Sequence, residues 1–99
     1  MIAEPDVLIS RVPDQLSVEL DGEIAILNLK SKLYFGLTDV GAFIWNLLET
    51  PISLAALGKR VSEHFEVGIV QAKFDAQLFL TELDGAGLLQ MVRQGEAAD

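Results

Sequence analysis

The chain has 99 residues, a formal net charge of −8, no cysteine and a 51% hydrophobic composition, which describes one domain held together by packing alone. Without cysteine there are no disulfides, no Cys-rich zinc site and no thiol catalysis, and seven Lys and Arg scattered along the chain lack the basic footprint that nucleic acid requires. No apolar run reaches the ~18 residues of a membrane span and the acidic start MIAEPDVL is unlike a signal peptide, so the expectation is a soluble, cytoplasmic protein with no nucleic-acid or membrane partner.

In chain order, VLISRV over 7–12, bracketed by Pro5 and Pro13, is either a further short strand or an arm. Residues 16–20 (LSVEL) alternate apolar and polar side chains, Asp21-Gly22-Glu23 is a turn signal, and 24–29 (IAILNL) is an apolar run of strand length, so the segment reads as a hairpin. A second turn at Ser31 leads to a third short strand over 33–37, with Leu33, Phe35 and Leu37 on one face and Tyr34 on the other. The rest is helical. Thr38 is the expected N-cap of a first helix in which Val40, Phe43, Ile44, Leu47 and Leu48 recur at helical spacing up to Thr50-Pro51. Ser53 caps a second helix, with Leu54, Leu57, Val61 and Phe65 inward, ending near Gly68. A third runs over about 69–85 and is closed by the glycines of DGAGLL. A last short extended piece over 88–92 and a polar tail over 93–99 complete the chain. The expected fold class is α+β, winged helix-turn-helix-like: an N-terminal three-stranded antiparallel β-meander followed by three α-helices, as a single domain with its core over about 7–92.

The third helix carries two apolar stripes instead of one. At about 100° per residue, Ala72, Ala76, Phe79, Leu80 and Leu83 share one side, while Val70, Phe74 and Leu78 lie on the opposite side. Gln71, Asp75 and Glu82 form one polar seam between the stripes, and Lys73, Gln77 and Asp84 the other. The longer stripe is assigned to the core. The outer one is either wrapped by the arm or the sheet, or it faces a ligand. The strand over 32–37 favours the ligand: unless residues 7–12 pair with it, its open edge offers backbone donors and acceptors to an added peptide strand, and edge and stripe then bound one cleft.

The segments ELDGEIAILNL (19–29), YFGLTDVGAFIWNLL (34–48), SLAALGKRVSEHFEV (53–67) and DAQLFLTELDGAGLL (75–89) resemble the PqqD-like family, whose members are also called RiPP recognition elements. The shared pattern is an Asp-Gly-Glu turn, an aromatic strand, Gly-x-x-Ile-Trp, and a last helix with Asp, Phe-Leu, Leu and Gly-Leu-Leu. The resemblance spans about 7–92 and consists mostly of core and turn positions. It implies a non-catalytic module, without cofactor or metal, that binds the leader segment of a ribosomally made precursor peptide and delivers it to a modifying enzyme, a leader protease or other maturase. In such domains the leader joins the third strand and lies between it and the third helix. Carried onto this sequence, Leu33, Tyr34, Phe35 and Gly36 supply backbone hydrogen bonds and aromatic contacts, Val70, Phe74 and Leu78 receive apolar leader side chains, and Lys73 and Gln77 form a polar rim. The Gly-x-x-Ile-Trp segment looks more like the free-standing forms of lasso-peptide systems than like the partner of pyrroloquinoline quinone synthesis.

Other residues carry blander expectations. Trp45 and Phe43 belong to the core, and Gly41 permits close packing of the first helix on the sheet. His64, between Glu63 and Glu66, lies on a solvated face and has no second histidine or nucleophile motif beside it. Three further functions compete with peptide binding: a winged-helix DNA-binding protein, which the charge opposes, an enzyme, for which the sequence offers no cluster of catalytic residues, and a homodimer joined through the exposed edge strand.

Overall fold

The computed structural model describes residues 7–93. They form β1 (Val7–Arg11), β2 (Gln15–Leu20), β3 (Glu23–Asn28), β4 (Tyr34–Leu37), α1 (Asp39–Leu47), α2 (Leu54–Phe65), α3 (Ile69–Gly85) and β5 (Leu89–Arg93). Strands β2, β3 and β4 make an antiparallel meander in that order, as expected from the three short strand patterns. The segment at 7–12 is a strand. It pairs antiparallel with β5, from Val7 opposite Arg93 to Arg11 opposite Leu89, and bridges through Ile9 to Ile52 in the α1–α2 link. Of the polar tail expected over 93–99, Arg93 closes β5 and the remainder lies outside the described residues.

The β2–β3 register has a consequence for everything on the sheet. Asp21 and Gly22 both have positive φ, 54° and 81°, the conformation of a two-residue type I′ turn, and Leu20 therefore pairs with Glu23. On β3 the residues pulled into the core are Ile24, Ile26 and Asn28, so Glu23, Ala25 and Leu27 face away from it. Their partners Leu20, Val18 and Leu16 must do the same. The alternation of LSVEL is thus present but turned outward: its apolar members are exposed, and Ser17 and Glu19 lie on the inner side opposite Ile26 and Ile24.

The core joins Ile9, Ile24, Ile26, Ile44, Trp45, Leu48, Leu57, Leu80 and Leu88, and Phe43 packs half-buried against it. Trp45 is fully buried, with the Arg11 guanidinium 4.8 Å from its ring centroid and Arg11 Nε donating to the Trp45 carbonyl at 3.0 Å. Burial lowers the Arg11 pKa and Glu49 opposes that shift.

Thr38 occupies the N-cap position of α1, but its side chain makes no capping bond; its carbonyl accepts from Gly41 N–H at 3.0 Å. Ser53 does cap α2, its Oγ accepting from Ala56 N–H at 3.1 Å. That helix stops at Phe65, short of Gly68, because Glu66 turns left-handed at φ 56°. α3 ends in a Schellman motif: Leu88 N–H reaches the Leu83 carbonyl, Gly87 N–H reaches that of Asp84, and Gly87 takes φ 74°.

Candidate functional site

β4 is an outer strand of its sheet, and β1 is occupied by β5, so among the described residues no strand covers its far edge. Leu33 does not contribute to that edge. Its carbonyl accepts from Asn28 N–H at 2.9 Å and its own N–H donates to Ser31 Oγ at 3.3 Å. Antiparallel pairing alternates along a strand, so with Leu33 bonded toward β3 the main-chain groups of Phe35 and Leu37 also point to β3. Those of Tyr34 and Gly36 are left for the open edge. The Phe35 side chain faces the core, half-buried, and Tyr34 is exposed on the outer face.

The position of β4 is set by Asn28. Its buried side chain accepts from the N–H groups of Lys30 and Ser31 at 2.9 and 3.2 Å and donates through Nδ2 to the Ala86 carbonyl at 2.8 Å. The turn that carries the chain into β4, with Lys32 at φ 65°, is thereby tied to the C-terminal end of α3.

On α3 the two stripes are present. Ala72, Ala76, Leu80 and Leu83 are buried and Phe79 is half-buried, while Val70, Phe74 and Leu78 are 81%, 58% and 54% exposed. The flanks of the helix are identified by its glycine contacts. A Cβ on Gly58 of α2 would come within 3.1 Å of Lys73 Cα, so the Lys73 side of α3 is the one packed on α2. A Cβ on Gly41 would come within 3.1 Å of Phe79 Cε1 and 3.8 Å of Leu37 Cβ, so the Phe79 side meets α1 and the end of β4. At Gly41 the first helix comes close both to Phe79 of α3 and to the end of the sheet, as expected for the latter. Lys73 and Gln77 share the flank next to α2, and the seam on the other flank, beside Phe79, is Gln71, Asp75 and Glu82, in which Gln71 Nε2 donates to Asp75 Oδ1 at 2.8 Å.

The described residues thus offer an open strand edge on β4 and an exposed apolar stripe on α3, with Phe35, Leu37 and Phe79 half-buried against the core. The family model described as Coenzyme PQQ synthesis protein D (PqqD) matches residues 23–89. The chain belongs to the PqqD family. The match runs from the first residue of β3 to the first residue of β5, so β1 and β2 lie before it. Two solved structures resemble the PqqD-family fold described here. One, "TbiB1 in Complex with the TbiA(beta) Leader Peptide", is 28% identical with a TM-score of 0.77, over 82% of this chain and 94% of that one. The other, "Lasso peptide synthetase B1 complexed with the leader peptide", is 23% identical with a TM-score of 0.73, over 83% of this chain and 96% of that one, and supports the fold alone. Among curated proteins none matches.

Within this PqqD-family chain, the residues that sequence reasoning missed are Asn28, Leu37 and Phe79. Phe79 lies at the edge of the core stripe on the wheel, next to the Gln71–Asp75 seam, and that position is the signal that it is only half-buried. His64 is exposed as expected, but its ring stacks on Phe43 at 4.2 Å between centroids. Among the described residues no group of three or more His, Asp or Glu is placed to hold a metal ion, and no helix is long and apolar enough to cross a membrane.

Proposed function

We propose that the chain is a non-catalytic carrier that binds the leader segment of a ribosomally synthesised precursor peptide and presents it, in the cytoplasm where such precursors are made, to a modifying enzyme such as a leader protease. The leader adds as a strand to β4. Tyr34 and Gly36 bond to its backbone, Phe35 and Leu33 contribute apolar contact, and Val70, Phe74 and Leu78 receive alternate side chains. Lys73 and Gln77 form the polar rim on the α2 flank, with Gln71 and Asp75 on the other. What supports this reading is an open β4 edge together with an exposed apolar stripe on α3, in a fold shared with a 28%-identical chain solved with a leader peptide. Backbone pairing gives affinity that tolerates varied sequences, while the stripe selects among them. A lasso-peptide-like system is favoured over pyrroloquinoline quinone synthesis by the resemblance of the Gly41-x-x-Ile44-Trp45 segment to the free-standing forms of lasso-peptide systems. A homodimer through the β4 edge is the second reading, since one edge serves either partner.

The test is fluorescence anisotropy with a labelled leader peptide from the precursor encoded nearest this chain's gene. Wild type is expected to bind. Phe74→Asp, a change at an exposed position, is expected to weaken binding by about 2 kcal/mol or more while circular dichroism stays unchanged. A wild type that ignores the peptide, or a variant that binds it equally well, removes the cleft from consideration.

A further inference from the structure

The meander has two outer strands, and the one opposite β4 is open as well. Among the described residues β2 pairs with β3 alone, and all of it except Gln15 is exposed. The two-residue turn makes Leu20 and Glu23 a hydrogen-bonded pair, so by the alternation of an antiparallel ladder Val18 and Leu16 also bond to β3. The main-chain groups of Ser17 and Glu19 are left for the free edge. The side chains of these two residues turn to the inner side, where with Arg11, Trp45, Asn46 and Glu49 they line a cavity of about 210 Å³ between the hairpin and the end of α1. Its charges are unequally engaged. The Arg11 guanidinium lies over the Trp45 ring, with Nε donating to the Trp45 carbonyl and Nη2 to Asn46 Oδ1 at 3.5 Å. Glu49 is near enough to oppose the effect of burial on the Arg11 pKa, yet among the described residues neither Glu49 nor Glu19 forms a salt bridge.

We propose that the β2 edge and this cavity dock the modifying enzyme, which adds an extended segment to β2 and turns a lysine or arginine of that segment toward Glu19 and Glu49. The inference rests on the carrier reading, in which the leader fills the β4 edge and the enzyme needs a surface of its own. On an added strand, a side chain on the inner side lies directly beside that of Ser17 or Glu19, so the backbone pairing and the charge pairing form together. The cavity is smaller than the roughly 300–1,000 Å³ of sites for drug-sized ligands, which suits one long side chain and not a free cofactor. Two uncommitted carboxylates beside an engaged guanidinium call for a cation, and the carrier's net charge of −8 steers a basic segment to it. β2 and β4 are two strand spacings apart, about 10 Å, so both edges are filled at once. They also select differently: α3 offers an apolar stripe to the strand at β4, and the cavity offers carboxylates to the strand at β2. A second copy fits less well, because it brings the same −8. An inward charge on an edge strand otherwise serves to repel stray strands, and that role predicts a different outcome.

The experiment uses the peptide-modifying enzyme encoded beside this chain, purified, with the full-length carrier, labelled leader peptide, and two variants. Glu19→Gln/Glu49→Gln removes the charges at exposed positions, and Ser17→Pro removes a donor from the free edge without removing a bond to β3. Anisotropy reads peptide binding, biolayer interferometry reads enzyme binding, and circular dichroism checks the fold. The expected result is peptide affinity within about twofold of wild type in both variants. Enzyme affinity is expected to fall about tenfold or more in the double variant and about fivefold in Ser17→Pro. A wild type that the enzyme ignores, or enzyme binding unchanged in the double variant, overturns the proposal. Loss with the double variant but not with Ser17→Pro overturns strand addition at β2. Leader peptide that displaces the enzyme, or that binds either variant more weakly, gives the β2 edge to the leader. A double variant that self-associates in sedimentation while its enzyme affinity is unchanged makes Glu19 a guard of the edge. A wild type that fails to bind the peptide overturns the carrier reading, and with it this one; the anisotropy arm tells that failure from the others.

Discussion

Asn28 stands at the end of β3 as a polar residue inside an otherwise apolar strand pattern, and it organises the candidate site without touching it. Its side chain bonds two turn N–H groups and one carbonyl 58 residues further along the chain. Truncation to alanine leaves the Ala86 carbonyl and the Lys30 and Ser31 amides without these partners in partly buried surroundings. Asn28→Ala is therefore expected to cost about 2 kcal/mol in urea denaturation and to weaken peptide binding by loosening the entry to β4. Nothing local in IAILNL announces this role, because the partner that makes asparagine necessary lies on α3. By contrast the Asp21-Gly22 turn was readable, since positive φ at two successive residues is a demand that Asp-Gly meets by itself. The Thr38 cap shows the reverse error: the position was right, and the hydroxyl is unused.

Among the elements, β4 and α3 divide the candidate site between them. The two stripes of α3 were legible from spacing alone, because a helix places every residue relative to its own axis. Which polar seam lies next to α2 was not, because that depends on where α2 and α1 sit, and their close approaches at Gly58 and Gly41 are properties of the folded molecule. The β4 edge permits a sharper test than a side-chain change. Gly36 is exposed, and by alternation its N–H points to the open edge, so Gly36→Pro removes a donor from that edge without removing a bond to β3. Peptide affinity is expected to fall by about 1 kcal/mol, roughly fivefold, with the thermal midpoint little changed. A variant that binds the leader as well as wild type would show that the peptide does not pair with β4.

For the molecule as a whole, the meander and three helices follow the order of patterns along the chain, whereas the second small sheet joins its two ends and was legible only as two unassigned extended pieces. Pairing between residues 7–11 and 89–93 leaves no signature in either segment. Ile9 is the residue on which this closure turns: it is fully buried, bonds to Ile52 through both main-chain groups, and precedes the part of the chain that the family model matches. Ile9→Ala is expected to cost about 2–4 kcal/mol by calorimetry or urea, as for other large-to-small core changes. The open β4 edge has one more implication, which concerns concentration and salt. An empty carrier that exposes an unpaired strand is prone to add strands to itself, and the mutual repulsion of copies bearing −8 each is what opposes this. Screening shortens the reach of that repulsion from about 10 Å at 0.1 M ionic strength to about 3 Å at 1 M. Light scattering from peptide-free protein should thus rise with added salt and fall back when leader peptide is supplied, so that the cargo acts as a solubilising cover for its own carrier.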